Sequence, residues 1–203
     1  MQYLLFIQII AGSISLTAAA FAVLSSKGKK LTDCKSKIKH DWGSKRMETV
    51  SIFVDVQNIY YTTKQRYGRN FDYNKFWRQT TSRRKVIVAN AYAIHRGDQK
   101  QLEFQNILRG IGFDVRLKPF ITRADGSSKG DWDVGITIDI IENAAKSDTI
   151  ILASGDGDFD ILLKTITKKF KVKTQVYGVP ELTAQSLISE AKIFNPISEN
   201  LLL

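Results

Sequence analysis

The chain has 203 residues, 43% hydrophobic and 25% charged, with 30 Lys and Arg against 20 Asp and Glu for a formal charge of +10. That balance is globular and excludes a disordered chain, while the basic excess points to anionic partners, nucleic acid or lipid head groups. One cysteine, Cys34, and two histidines, His40 and His95, exclude an internal disulfide and argue against a Cys/His zinc site or a Ser-His-Asp machine, so a catalytic metal would need oxygen ligands.

Tyr3 to Leu24 is a run of 22 residues without a charge, about the length a helix needs to span a bilayer. Lys27, Lys29 and Lys30 follow it with no counterpart before it, and the positive-inside rule then places the C-terminal side in the cytoplasm. Residues 1–25 are expected to be a hydrophobic helix, a single-pass anchor in the inner or cell membrane. Residues 26–47 read as a basic linker and 48–203 as the folded domain. Residues 1–47 hold eight basic and two acidic side chains, so most of the positive excess precedes that domain and says little about its partners. Two rivals stand beside the anchor. One is a secretory signal peptide, whose TAAAFA offers a cleavage site but which lacks a positive n-region. The other is an untranslated upstream extension, with the product starting at Met47, soluble and cytoplasmic.

From Thr49 the pattern is regular. TVSIFVD is a β-branched and aromatic run, predicted as a strand, and NIYYTTKQRYG and DYNKFWRQTT are polar helical stretches. KVIVANAYAI predicts the second strand, Gln99 to Arg109 a helix, and FDVRLKPF a third strand, followed by a polar loop, ITRADGSSKG. DVGITIDIIENAA reads as helix, DTIILAS as strand and DFDILLKTITKKF as amphipathic helix. KVKTQVYGV is the last strong strand and ELTAQSLISEA the last helix. Strands alternating with helices predict an α/β fold whose mostly parallel sheet is covered on both faces.

In such sheets ligands bind beyond the carboxyl ends of the strands. The first strand delivers Asp55, with Asn58 one turn on. DTIILAS delivers Ser154-Gly155-Asp156-Gly157-Asp158. The helix between opens with Asp131, Trp132 and Asp133, and carries Asp139 further along. Aspartate at a strand-to-helix junction is also a good helix cap, a reading that suits Asp131 or Asp133 for one helix and Asp158 for the next. Capping leaves Asp55 and the Asp156/Asp158 pair unexplained, and Gly155 and Gly157 let the backbone turn so that both carboxylates point one way. Gathered carboxylates raise one another's pKa unless a cation sits between them, and hard oxygen ligands suit Mg²⁺ or Mn²⁺. The DGDFD run is not an EF-hand loop, because Ile161 and Thr167 stand where glycine and glutamate are required.

The segments SIFVDVQNIYY, KGDWDVGITIDI and ILASGDGDFDILL resemble, in order, the three signatures of NYN domains, in the LabA-like branch of the PIN-like nuclease superfamily. The resemblance runs over about residues 49–197, including SLISEAKIFNPI. It implies a Rossmann-like, three-layer α/β/α sandwich and a ribonuclease dependent on Mg²⁺ or Mn²⁺. Asp55, Asp133, Asp156 and Asp158 match the catalytic, metal-holding acidic positions and Asn58 the polar partner of the first. Asp139 matches a further acidic position, Asp131 none, and Val56-Gln57 replaces a glycine common in relatives.

For the substrate site, Asn58 is expected to donate to phosphate or a metal-bound water, Ser154 to hydrogen-bond a metal-holding carboxylate from behind, and Lys129, with Arg96 and Arg123, to lie in loops near that edge. Arg66, Arg69, Arg78, Arg83 and Arg84 form a basic stretch, and Tyr60, Tyr61 and Trp132 are candidates to stack on the bases of single-stranded RNA. Each has an ordinary alternative as solvated surface or core, and His95 reads as a core or rim residue. The alternative function is a metal-holding module that binds RNA or a protein with little turnover. A haloacid-type phosphatase is disfavoured because Asp55 is followed by Val56-Gln57. Membrane contact through residues 3–24 and self-association as a homo-oligomer are compatible with the sequence.

Overall fold

A computed structural model describes residues 46–95, 98–119, 121–122, 128–129 and 131–203. The expected anchor, residues 1–25, and all but the end of the expected linker lie outside the described residues, as do Arg96 and Arg123. Among the described residues no helix is long and apolar enough to cross a membrane. Met47–Leu203 is one compact unit.

The strands are β1 (Glu48–Asp55), β2 (Arg84–His95), β3 (Asp114–Pro119), β4 (Ile121–Thr122), β5 (Ser128–Lys129), β6 (Thr149–Ala153), β7 (Lys173–Gly178) and β8 (Ile193–Pro196). Six of them make one sheet in the order β3-β2-β1-β6-β7-β8, every pair parallel. The helices are α1 (Val56–Tyr67), α2 (Tyr73–Thr81), α3 (Gln99–Ile111), α4 (Asp133–Ala144), α5 (Asp160–Phe170) and α6 (Gln185–Glu190).

The pleat divides β1 between two cores. Val50, Ile52 and Val54 pack with Ile59 of α1, Phe76 of α2 and Leu108 of α3. Phe53 faces the other way, toward Ile136 and Ile140 of α4, Leu163 and Ile166 of α5 and Leu187 of α6. A central parallel strand must be apolar on both sides, which is why β1 and β6 read as continuous hydrophobic runs. The α/β/α layering expected from the alternation is therefore present.

One strand is added and one expectation corrected. Beyond β7, the last strong strand of the sequence, lies β8: IFNP is short, polar at Asn195 and ended by proline, so it reads weakly, but it pairs with β7 from Gln175↔Ile193 to Gly178↔Pro196. Within the stretch expected as a polar loop, β4 and β5 pair antiparallel. The chain closes on itself at its end: the Asp72 N–H donates to Leu201 O at 2.8 Å, and Leu201 and Leu202 are buried.

Candidate active site

The sheet order runs outward from β1 through β2 to β3 on one side, and from β6 through β7 to β8 on the other. The turning point is between β1 and β6, where the chains leaving the two strands diverge and open a crevice. Asp55 ends β1 on one side of it, and Ser154 to Asp158 follow β6 on the other.

Asp55 caps α1: its Oδ1 accepts from the Asn58 N–H at 3.0 Å. Asn58 in turn binds across the crevice, its Oδ1 accepting from the Gly155 N–H at 2.8 Å. Ser154 is wholly buried, and its Oγ accepts from the Asp156 N–H at 3.2 Å. Asp156 then caps the 3-10 turn Gly157–Phe159 by accepting from the Asp158 N–H at 3.0 Å. One chain of hydrogen bonds thus sets both carboxylates relative to the sheet. Ser154 is enclosed, and it meets Asp156 through that residue's backbone N–H and not through its carboxylate.

The capping assignment is reversed from expectation. Asp55 and Asp156 are caps, whereas α4 begins after Trp132 and α5 after Phe159, neither with a side-chain cap. Asp133 lies in the first turn of α4 and Asp158 is exposed on the 3-10 turn, so capping accounts for neither. The glycines also act otherwise than expected. Gly155 and Gly157 do not adopt positive φ. A Cβ on Gly155 would lie 2.7 Å from Leu182 O, and one on Gly157 3.0 Å from Ala184 Cβ, so both permit close approach of the 182–184 segment.

Electrostatics ties three segments together. Burial pushes the Asp55 carboxyl up from its ordinary 3.8 to about 6, the Asn58 N–H opposes the shift, and the charges of Asp133 and Asp156 add to it. Asp133 is also raised, by burial first and then by Asp156, Asp131 and Asp158, with Lys118 opposing. Asp55, Asp133 and Asp156 are therefore near enough to repel. Among the described residues, however, no three Asp, Glu, His or Cys side chains stand close enough to grip an ion by themselves. The donor chemistry suits a hard cation held by one or two carboxylates, with water and substrate oxygens completing its shell. It does not suit a closed protein cage.

Several expected contacts are occupied by the fold. Trp132 Nε1 donates to Ala93 O at 3.0 Å, and Lys118 Nζ lies 4.5 Å from the centre of the indole ring. The indole is thus an anchor more than a platform for bases. Asp139 Oδ2 accepts from Tyr92 Oη at 2.6 Å and Asn90 Nδ2 at 3.1 Å, six residues or about 9 Å down the helix from Asp133. Arg84 pairs with Glu48 at the amino end of the sheet, Arg66 with Glu181, and Arg69 Nε donates to Leu203 O, so much of the expected basic stretch has structural partners. Lys129 falls on β5 and His95 closes β2.

Sequence reasoning missed two neighbours. Lys118, at the end of β3, is the cation that opposes Asp133, and its place at the carboxyl end of a parallel strand was the available signal. Tyr73 is buried, and burial together with the charge on Asp55 keeps its phenol protonated; nothing local in the sequence marks it.

A parallel, doubly wound α/β domain with acidic groups over its switch point is what the fold and site define. The NYN domain model matches residues 49–198, and the chain belongs to that family, part of the PIN-like nuclease superfamily. It is 30% identical over 132 residues to the low amplitude and bright protein LabA of Synechococcus elongatus, covering 61% of this chain and 70% of the other. The crystal structure of a protein of unknown function from Vibrio parahaemolyticus superposes with a TM-score of 0.75 at 53% identity, over 78% of this chain and 98% of that one.

Proposed function

We propose that residues 47–203 hydrolyse RNA phosphodiester bonds with Mg²⁺ or Mn²⁺. The observation that carries the reading is geometric: Asp55 at the end of β1 and Asp156 just after the adjacent β6 flank the switch point and are tied by one chain of hydrogen bonds, with Asp133 near enough to add to the rise in the Asp55 pKa. Unless a cation or a positive ligand joins them, that arrangement costs stability, and a site kept at such a cost suits a function. Family membership supports the same substrate class.

Asp55 and Asp156, which face each other across the crevice, would hold the ion together with water and substrate oxygens, with Asp133 beside them and Asp158 at the open rim. A bound divalent cation supplies Lewis-acid stabilisation of charge on phosphate and acidifies water. The rest falls to the chain. As water attacks phosphorus its proton passes to a carboxylate of the cluster that is not engaged with the ion, one P–O ester bond breaks, and the leaving oxygen takes up a proton from solvent. Asn58, its Oδ1 held by Gly155, directs Nδ2 to phosphate. Lys118 and Lys129, at the carboxyl end of β3 and on β5, supply positive charge for the strand. Ser154 keeps Asp156 in place.

The test is incubation of the protein with labelled single-stranded RNA, DNA and p-nitrophenyl phosphate, with Mg²⁺, Mn²⁺ or EDTA. RNA should be cut, EDTA should stop cutting, and Asp55→Asn or Asp156→Asn should abolish it while the circular dichroism spectrum is unchanged. A second reading, a module that binds RNA or a protein with little turnover, draws on the spacing of the carboxylates, no three of which close on one point among the described residues. Retained RNA binding without metal-dependent cleavage would decide for it. The proposed chemistry belongs to residues 47–203, and the anchor expected over 3–24 is no part of it.

A further inference from the structure

Beside the acidic edge, and separate from it, a groove of ≈ 540 Å³ opens between the start of α1 and the start of α3, across the end of β2. It begins one residue beyond Asp55, at Val56 and Gln57. Tyr60 and Tyr61 stand on its α1 side, 49% and 53% exposed, their rings in an edge-to-face pair with centroids 5.4 Å apart. Phe104 and Gln105 of α3 line it as well, and Lys100 lies at its rim. Two neighbouring aromatic rings left half in water beside a partly apolar hollow make a contiguous patch, the kind of surface that marks a ligand-binding groove.

Gln105 adds an independent observation. It is only 2% exposed, and its Oε1 has no hydrogen-bond partner. A buried acceptor without a donor is unfavourable, and native structures seldom keep one without a reason. The occupant that answers both features is flat, aromatic and equipped with N–H donors. Tyr60 is five residues into α1, about 8 Å along the axis from Asp55, so such an occupant would lie close to a phosphate bound at the carboxylates. Lys100 at the rim suits the backbone of the same strand.

Resting on the RNA reading above, we propose that this groove is a subsite for one unpaired nucleobase of the substrate strand, next to the phosphate that is cut. The base stacks on one ring of the Tyr60/Tyr61 pair and, with the Gln105 amide turned toward the groove, presents an N–H to its Oε1. The protein therefore selects strands whose bases are unpaired at that position, and duplex RNA cannot fill the groove.

The test is equilibrium binding of the full chain to a short fluorescein-labelled single-stranded RNA in EDTA, where no cutting occurs. The same strand carrying an abasic nucleotide at each position in turn, and its duplex, are measured alongside. Tyr60→Ala/Tyr61→Ala should bind the intact strand about ten-fold more weakly. Tyr60→Phe/Tyr61→Phe should bind as the wild type, since the stacking face survives. Gln105→Leu should weaken binding of the intact strand but not of the strand abasic at the sensitive position. That abasic strand should lose affinity for the wild type and lose nothing further with the double alanine variant. Equal binding of intact and abasic strands by the wild type, or wild-type affinity in the double alanine variant, would overturn the subsite. Cleavage is scored separately with Mn²⁺. Tyrosine- and base-dependent binding without cleavage sinks the hydrolase and leaves the subsite standing; cleavage that ignores both tyrosines does the reverse.

Discussion

Asp55 holds two roles that pull in opposite directions. As the cap of α1 it is best ionised, because the Asn58 N–H donates to it; as one of three gathered carboxylates under partial burial it is best protonated. Burial prevails and its pKa sits near 6. The folded chain then binds a proton that the unfolded chain, at 3.8, has released. The sign follows: this carboxyl's contribution to stability is full below pH 4, falls as pH rises toward 6, and is gone above it. An amide in its place would not titrate, and its oxygen could still accept from the Asn58 N–H. Asp55→Asn should therefore match the wild type near pH 4 and exceed it by about 2–3 kcal/mol at pH 7.5 in EDTA, read by urea denaturation at each pH. Millimolar Mg²⁺ or Mn²⁺ at pH 7.5 should raise the melting temperature of the wild type and leave that of Asp55→Asn nearly unmoved, since a ligand stabilises only the state that binds it. A wild type less stable than the variant at pH 4 but equal to it at pH 7.5 would contradict the assignment.

At the scale of the element, α4 depends on an unusual start. It has no side-chain cap, and its opening residues are held by Trp132, whose indole binds Ala93 O and lies across the first turn. A Cβ on Gly135 would fall 2.7 Å from that ring, so glycine is what lets the indole lie there. The tether fixes Asp133, the next residue, over the crevice. Trp132→Ala should cost about 1–3 kcal/mol, a discounted core value because the ring is only half-buried, and should lower kcat for RNA cleavage with little change in KM. Trp132→Phe should recover most of the stability, since packing survives, and less of kcat, since the bond to Ala93 does not. Equal recovery of both would mean that Trp132 acts through stability alone. The aspartates opening α4 were visible in the sequence; the tether was not, because its acceptor is a backbone carbonyl 39 residues away.

For the whole molecule, β1 and β6 are neighbours although β1 ends at Asp55 and β6 begins only at Thr149. Their adjacency makes the crevice. Residues Met47–Leu203 form one compact unit with its own two cores, so a chain beginning at Met47 should unfold cooperatively, with the midpoint of the full chain within about 4 °C, a shift equivalent to roughly 1 kcal/mol. Calorimetry of both chains checks this, and a broad or missing transition in the shorter one would place part of the core's support before Met47.

The sequence by itself determined the class of fold and the acidic residues. Apolar runs of strand length alternating with amphipathic stretches leave few arrangements other than a covered parallel sheet, and aspartates at strand ends are legible wherever the strands are. Only the tertiary structure decided which aspartates cap, which repel, and that Ser154 faces inward. Caps depend on where a helix starts to within one residue, and repulsion and burial depend on strand order, which local periodicity does not encode. The groove beside Asp55 likewise exists only once α1 and α3 are packed against the same face of the sheet, since its lining residues come from segments about 40 residues apart.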